Sequence, residues 1–240
     1  MKKTTADQYY TNYYKKIMSG GIVGHFVRLY HKALEKPFFQ NDNFPSVIEL
    51  GAGNCEHLPF VKHSFEEYTL SDIRIDLLLE STSDLLNTKM LIDKPKYIKS
   101  MGSKITCTKI DAGDLTGIKD NKFDRLIAGC LILHLEKPEK ALREWRRVVK
   151  KGGVLSIYIH SEPGMLLRFS RSVSTVLLGK KLGVDHLHHV YREHKLSYLA
   201  IKYLINNVFI NDEVQFKSFP IPYLSWNYSL WKVVQIKLKD

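Results

Sequence analysis

The sequence has few cysteines and no long hydrophobic run. Its three cysteines, Cys55, Cys107 and Cys130, show no C-x-x-C spacing, which argues against a disulfide-built secreted module and a zinc ribbon. The apolar runs fall short of the ~20 residues that a membrane-spanning helix needs. The first residues, MKKTTADQYYTNYYKK, lack the apolar core of a signal peptide. We therefore expect a protein of the reducing cytoplasm.

Acidic residues are scarce in the last hundred positions. Residues 141–240 contain 16 Lys and Arg against 7 Asp and Glu, whereas residues 1–140 contain 20 against 18. The C-terminal part therefore carries most of the net charge of +11. Such asymmetry indicates an anionic partner, such as nucleic acid, phospholipid or a phosphorylated substrate, or else a solvated surface that needs no partner.

Short apolar runs alternate with helical patterns along the chain. Five of these runs end near glycine or an acidic residue and predict strands: 46–50, 68–70, 105–110, 123–128 and 154–159. The clearest helix begins at Pro138 and ends before Gly152. The alternation predicts an α/β fold, a Rossmann-like and mostly parallel seven-stranded sheet with helices on both faces. Two later runs, 209–219 and 228–239, predict a closing hairpin with a C-terminal antiparallel strand.

We predict that residues 1–240 form a single domain. Within it, residues 1–45 would form an N-terminal helical lid that includes four tyrosines, and residues 46–160 would form a cofactor-binding core. Residues 161–206 would form a helical insertion on the acceptor side, and residues 207–240 the closing hairpin.

The segment 47–57, V-I-E-L-G-A-G-N-C-E-H, places two glycines at the end of the first predicted strand. Gly51 and Gly53 let the backbone turn tightly and approach a ligand closely. We expect a helix to begin near Glu56 and to point free N–H groups into the same space. Glu56 stands where a dinucleotide-binding loop, G-x-G-x-x-G, has its last glycine, which argues against a nicotinamide or flavin cofactor. A P-loop motif does not occur.

These residues belong to a longer ordered set. Glu49, Gly51 and Gly53 are followed by Asp72 and then by the pair Asp111-Ala112. From residue 123 to residue 153 the chain continues with F-D…L-x-H-L-x-x-P…E-x-x-R-V-V-K-x-G-G. In this order and spacing, residues 47–159 resemble the small-molecule type of class I S-adenosylmethionine-dependent methyltransferases. The chain departs from that family's first motif at position 55, where a cysteine replaces the third glycine.

The resemblance implies S-adenosylmethionine as the cofactor. Its carboxylate would lie at the glycine loop, its ribose diol at Asp72 and its adenine beside Asp111. Glu49 could instead cap the amides of the loop itself, and Gly129 could serve only the strand-to-turn geometry. The cofactor-binding residues that the resemblance implies are Glu49, Gly51, Ala52, Gly53, Asn54, Asp72, Ile73, Asp111, Ala112 and Gly129.

Histidines are the candidates for a catalytic base. His134 lies in the L-x-H-L motif, His160 ends the fifth predicted strand, and His189 lies in the histidine-rich run 185–194. Each could instead be a packing or surface residue. The run does not have the spacing of a zinc signature, so no metal site is predicted.

The predicted function is methyl transfer to an oxygen or nitrogen of a small acceptor, with anionic, lipid-linked and sugar-linked compounds as the first classes. An RNA methyltransferase is one alternative, suggested by the basic C-terminal part, but no RNA-binding module is recognisable and nucleic acid is not expected. A non-catalytic scaffold that binds the cofactor is another. The apolar and basic stretch 164–182 would touch a membrane or a lipid-linked acceptor, or would cover the mouth of the site.

Overall fold

The computed structural model describes residues 5–18, 20–87 and 104–239, so residues 1–4 and 19 of the predicted lid lie outside the described residues. Its centre is one seven-stranded sheet. The strands are β1 (Ser46–Leu50), β2 (Glu67–Asp72), β3 (Lys104–Lys109), β4 (Phe123–Gly129), β5 (Val149–His160), β6 (Glu213–Phe219) and β7 (Trp231–Lys237).

The strand order is β3-β2-β1-β4-β5-β7-β6. Strands β1 to β5 pair in parallel, and β7 runs antiparallel to both of its neighbours. This confirms the predicted mostly parallel sheet with a C-terminal antiparallel strand. The chain reverses its direction of travel across the sheet between β1 and β4. In open α/β sheets, ligands bind outside the carboxyl ends of the strands at such a switch point.

Helices connect and flank the strands. In the part of the chain that the structure describes, the α-helices are α1 (Ala6–Tyr9), α2 (Lys15–Met18), α3 (Gly21–Leu34), α4 (Ile75–Asn87), α5 (Pro138–Val148), α6 (Met165–Val173), α7 (Thr175–Lys181), α8 (His186–Glu193) and α9 (Tyr198–Val208). Short 3₁₀-helices occur in the loops at 58–60, 132–134 and 226–228, and residues 10–14 form a π-helix between α1 and α2. Among the described residues, no helix has the length and apolar character that crossing a bilayer requires.

Helices pack on both faces of the sheet because successive strand residues point to opposite sides. On one face, Ile48 of β1 belongs to a buried cluster with Trp145 of α5 and Ile201 of α9. On the other face, the adjacent Val47 belongs to a cluster with Leu78 of α4. The parallel strands are therefore buried on both sides, as is usual for this type of sheet.

The fifth strand is longer than the sequence pattern predicts. β5 begins at Val149, directly after α5, and its register against β4 shifts between Phe123 and Arg125. Residues 150–153 bulge out of the strand at this shift, and Gly152 there has φ of +71°. Gly152 and Gly153, which precede the predicted strand 154–159, therefore lie within the observed strand, at this irregularity.

The predicted closing hairpin forms, but both of its strands are shorter than expected. β6 begins at Glu213 rather than at position 209, because α9 continues to Val208. β7 begins at Trp231, because residues 226–228 form a 3₁₀-helix. Since β7 lies between β5 and β6, the hairpin completes the sheet.

A charged side chain lies at the centre of the sheet. Arg125 of β4 is fully buried, and its guanidinium donates two hydrogen bonds to Glu35, at 2.6 and 3.1 Å. Glu35 follows α3 and also accepts a hydrogen bond from His57 at 3.0 Å. Burial alone would raise the pKa of Glu35, but the charge of Arg125 and the hydrogen bond from His57 hold it far below its usual range. The ion pair thus joins α3 and the loop after β1 to the middle strand.

Replacing Glu35 by alanine tests the contribution of this pair. We expect Glu35→Ala to lower the free energy of unfolding by about 3–5 kcal/mol, because it leaves the buried Arg125 without a counter-charge. The matched control is Glu139→Ala, which removes an exposed ion pair with Arg143 and should change stability by less than about 0.5 kcal/mol. Urea denaturation measures both, and equal effects would contradict the prediction.

Candidate active site

A cavity of about 680 Å³ lies beyond the carboxyl ends of β1, β2 and β4. It lies at the switch point of the sheet, since residues from the loops after β1 and β4 both line it. All thirteen site residues that the sequence predicts line this one cavity. They are Glu49, Gly51, Ala52, Gly53, Asn54, Asp72, Ile73, Asp111, Ala112, Gly129, His134, His160 and His189.

The loop after β1 uses left-handed backbone conformations. Gly51 and Gly53 have φ of +66° and +51°, which L-amino acids with a side chain rarely adopt. A Cβ on Gly51 would also lie 2.9 Å from the side chain of Leu131. Cys55, at the third glycine position of the motif, keeps a positive φ of 57°, and its Sγ lies 2.9 Å from the hydroxyl of Thr82. The departure from the motif therefore preserves the turn.

The prediction of a helix beginning near Glu56 is wrong. Only a single 3₁₀ turn follows, at residues 58–60, and the backbone becomes extended at Val61. Ser64 then bonds back to Asp42, so the chain reverses before an α-helix can form. This edge of the cavity is consequently formed by the glycine loop rather than by an α-helix N-terminus, and the amides of Ala52 and Cys55 bond to the carbonyls of Ser71 and Ala52.

Two carboxylates lie at the carboxyl ends of β1 and β2, and each is held by hydrogen bonds from the backbone or from a tyrosine. Asp72 accepts hydrogen bonds from the amide of Gly53 at 3.0 Å and from the amide of Arg74 at 2.8 Å. Glu49 accepts a hydrogen bond from the Tyr68 hydroxyl at 2.7 Å, and burial raises the pKa of Glu49. The hydrogen bonds of the described residues thus tie Glu49 to β2, not to the amides of the glycine loop.

The turn after β3 and the end of β4 form the next part of the wall. Asp111 accepts a hydrogen bond from the amide of Gly113 at 2.8 Å, and the indole of Trp145 donates to the carbonyl of Ala112 at 2.8 Å. A Cβ added to Gly129 would meet nothing within 4 Å, so this residue faces open space in the cavity. These contacts fix the conformation of the turn, and its edge towards the cavity stays open to a ligand.

The donor set on this side fits S-adenosylmethionine. An aspartate fixed at the end of β2 suits a ribose diol, and Asp111 offers an acceptor for an adenine amino group. Left-handed glycines provide room for close approach of the ligand to the backbone. The residues present therefore match the groups that the cofactor displays.

Histidines line the opposite side of the cavity. The rings of His134 and His194 meet edge to face at 4.8 Å, and His160 stacks on His194 at 5.9 Å. His194 was part of the histidine-rich run, but its spacing did not distinguish it from its neighbours. It lies beside the two predicted bases because the amide of Lys195 bonds to the carbonyl of Leu133 and joins the two loops.

His194 has a carboxylate partner. Its Nδ1 lies 2.6 Å from Oε1 of Glu162, which also forms an ion pair with Arg171. Burial alone would raise the pKa of Glu162, but the hydrogen bond from His194 and the charge of Arg171 lower it to about 2. Because an ionised carboxylate can only accept, Nδ1 of His194 must carry the proton. In the neutral ring, Nε2 then holds the free lone pair.

The N-terminal helices form a further wall of the cavity. Tyr9 is buried, its hydroxyl lies 2.7 Å from Nδ1 of His186, and its ring stacks on His189 at 3.6 Å. The guanidinium of Arg74, two residues after Asp72, lies 3.9 Å from the ring centroid of Tyr10. The predicted base His189 is therefore in contact with the N-terminal segment and not with the cluster around His194.

Four histidines of the cavity, His134, His160, His186 and His189, have lowered pKa values. Burial is the largest cause of the lowered pKa of each, and neighbouring cations and histidines lower it further. The pKa falls to about 3 for His134 and His189 and to about 4 for His186, and that of His160 lies well below its usual range. A neutral imidazole can accept a proton, which a charged one cannot.

Residues 48–157 match the family model of a methyltransferase domain. The chain carries a class I methyltransferase domain. The protein is an S-adenosylmethionine-dependent methyltransferase, with S-adenosylmethionine as its methyl donor. The matched residues span the strands from β1 to β5 and all the predicted cofactor-binding residues. No curated protein sequence matches this methyltransferase.

Solved structures share its fold. One is an S-adenosylmethionine-dependent methyltransferase of Thermotoga maritima, described as a possible histamine N-methyltransferase, at 18% identity, TM-score 0.60 and coverage of 97% of this chain and 98% of that one. YcgJ of Bacillus subtilis has 16% identity, a TM-score of 0.53 and coverage of 90% and 99%. A Methanosarcina mazei S-adenosylmethionine-dependent methyltransferase has 15% identity, a TM-score of 0.51 and coverage of 87% and 98%.

Substitution of Asp72 tests the cofactor side. We expect Asp72→Ala to weaken the binding of S-adenosylhomocysteine at least about tenfold, since removal of a charged hydrogen-bonding partner costs about 1.5–3 kcal/mol. The control is Asp76→Ala, four residues along in α4 and exposed, which should bind as the unaltered protein does. Calorimetric titration measures both, and unchanged affinity of Asp72→Ala would contradict the assignment.

Acid should destabilise the folded protein. The pKa values of His63 and His186 are lowered to about 4 by burial, whereas an unfolded histidine titrates near 6.5. Between these pH values the unfolded chain binds protons that the folded chain excludes, so the free energy of unfolding falls with falling pH. We expect a loss of about 1.4 kcal/mol per pH unit for each such histidine.

Urea denaturation at several pH values between about 7 and about 4.5 measures this slope. His63→Gln should flatten it, while His25→Gln, at an exposed position, should leave it unchanged. The same slope in both variants would show that His63 does not stay neutral in the folded protein.

Proposed function

We propose that this methyltransferase transfers the methyl group to an oxygen or nitrogen of a small acceptor bound between the glycine loop and the histidine wall. The observation that carries the proposal is the paired His194 and Glu162, which line or adjoin the same cavity as the cofactor-binding candidates. Methylation of a hydroxyl or an amine releases a proton, and a histidine oriented by a carboxylate is suited to accept it.

The residues on the sheet side would bind and orient the donor. The glycine loop, the carboxylate of Asp72 and the turn at Asp111 would hold it at the ends of the strands. S-adenosylmethionine supplies a methyl group that is already activated on a sulfonium. The protein therefore needs mainly to align the acceptor and to exclude water.

The residues on the other side would manage the proton. Glu162 would fix the ring of His194, so that Nε2 could take the proton of the acceptor atom while that atom bonds to the methyl carbon. The electron pair of the broken carbon–sulfur bond would remain on sulfur and neutralise the sulfonium. His134 and His160 would keep the ring of His194 in place, and Tyr9 would hold His189 in the N-terminal wall.

The chemistry of the cavity supports a proposal for the class of acceptor. Its N-terminal wall is rich in tyrosine, which favours flat or apolar acceptors with one reactive polar atom. The Thermotoga protein, described as a possible histamine N-methyltransferase, makes amines the first class to screen. Anionic, lipid-linked and sugar-linked compounds follow. The three cysteines that the structure shows as free thiols support a cytoplasmic site of action.

The test is methyl transfer from labelled S-adenosylmethionine to pools of amines, phenols and lipid-linked sugars. With an acceptor in hand, His194→Ala should lower kcat about 10²–10⁴-fold, with unchanged affinity for S-adenosylhomocysteine, because the proton then lacks a base. Its loss should be partly recovered at high pH. The control, His25→Ala, changes an exposed histidine outside the cavity and should keep full activity.

Other outcomes would overturn the proposal. Turnover only with RNA, at an affinity that falls steeply with salt, would make nucleic acid the acceptor. Binding of the cofactor without turnover in any pool would favour the scaffold alternative. If His194→Ala weakens the cofactor as much as it lowers kcat, the role of His194 is structural.

A further inference from the structure

The outer face of α6 is apolar. Met165, Phe169 and Val173 are 58%, 66% and 55% exposed, and their spacing of four residues places them on one side of the helix. On the other side, Leu167 and Arg171 line the cavity. Helix α6 therefore separates the active site from an exposed apolar surface, although a helix face towards water is normally polar.

Exposed cations lie on this helix and on the next one. Arg168 is adjacent to Phe169 on α6, and Lys180 and Lys181 end α7, which packs against α6; all three are exposed. The structure records no ion pair for these three side chains among the described residues. Residues 163–184 contain no aspartate or glutamate. Arg171 differs from them, because it points inward and pairs with Glu162.

We propose that this surface docks on an anionic lipid bilayer. The α6 face, as we name it, consists of Met165, Arg168, Phe169, Val173, Lys180 and Lys181. Its apolar side chains would enter the boundary between headgroups and acyl chains, while its cations would meet lipid phosphates or carboxylates. The helix would lie in the plane of the interface and would not span the membrane.

The composition of the face favours this occupant over others. A second copy of the chain, bound through the same face about a two-fold axis, would bring like charges together. Nucleic acid would satisfy the cations but would leave Phe169 and its apolar neighbours without a partner. A bilayer with anionic lipids satisfies both parts. The proposal concerns surface contact alone, so it stands or falls independently of the acceptor.

Sedimentation with phosphatidylcholine vesicles, with and without phosphatidylglycerol, tests the proposal. We expect the full chain to bind the anionic vesicles, and binding to weaken as salt is added. Phe169→Ser should weaken vesicle binding about tenfold, because the variant lacks the phenyl ring that would be transferred from water into the bilayer. The matched control is Phe39→Ser, since Phe39 is 69% exposed and lies in the segment between α3 and β1, outside α6 and α7.

Charge is tested separately. The double substitution of Lys180 and Lys181 by glutamine should weaken binding to anionic vesicles about twenty-fold. The same change at Lys119 and Lys217, which are exposed away from the α6 face, should have a smaller effect. Urea denaturation of each variant confirms that it is folded.

Three results would overturn the proposal. The first is no binding to anionic vesicles. The second is an equal loss in Phe169→Ser and Phe39→Ser. The third is a concentration-dependent dimer that Phe169→Ser abolishes, which would assign the face to a second copy of the chain.

Discussion

The buried guanidinium of Arg125 is the constraint on which the arrangement of the active site depends. A charge in the middle of a parallel sheet has no access to water, so it requires a carboxylate with suitable geometry. Glu35 supplies it from the end of α3, and Ser156 on β5 accepts a further hydrogen bond at 3.1 Å. The N-terminal segment must therefore return to the sheet at one defined place, which fixes where α3 can lie.

The same ion pair reaches the glycine loop. His57 donates to Glu35, and Nδ1 of His31 on α3 lies 3.1 Å from Nδ1 of His57. Burial and the neighbouring His57 keep the pKa of His31 well below its usual range. The uncharged ring of His31 can therefore share a hydrogen bond with His57 without bringing two positive charges together. The loop that would bind the donor and the helix that covers it are thus parts of one hydrogen-bonded unit. Movement of α3 would disturb both together.

The core of the fold could be predicted from the sequence because its signals are local. A β-branched run, a left-handed glycine and an acidic residue at a strand end each reflect neighbours in the chain, and they placed ten cofactor-binding candidates around one cavity. The helix expected near Glu56 failed for a non-local reason, since Ser64 pairs with the segment before β1. His194 was also beyond local reasoning, because its partner Glu162 lies 32 residues away.

The division of the cavity into two chemical halves accounts for the lowered pKa values of His134 and His160. On the sheet side, carboxylates and the glycine loop line the cavity, whereas on the helical side tyrosines and packed imidazoles exclude water. Desolvation favours the uncharged form of each imidazole, and the cations Arg74 and Arg171 favour it further. Glu162, next to this side, is shared between Arg171 and His194. Under the proposed mechanism, a proton released from the acceptor would have the imidazole that Glu162 orients as its base.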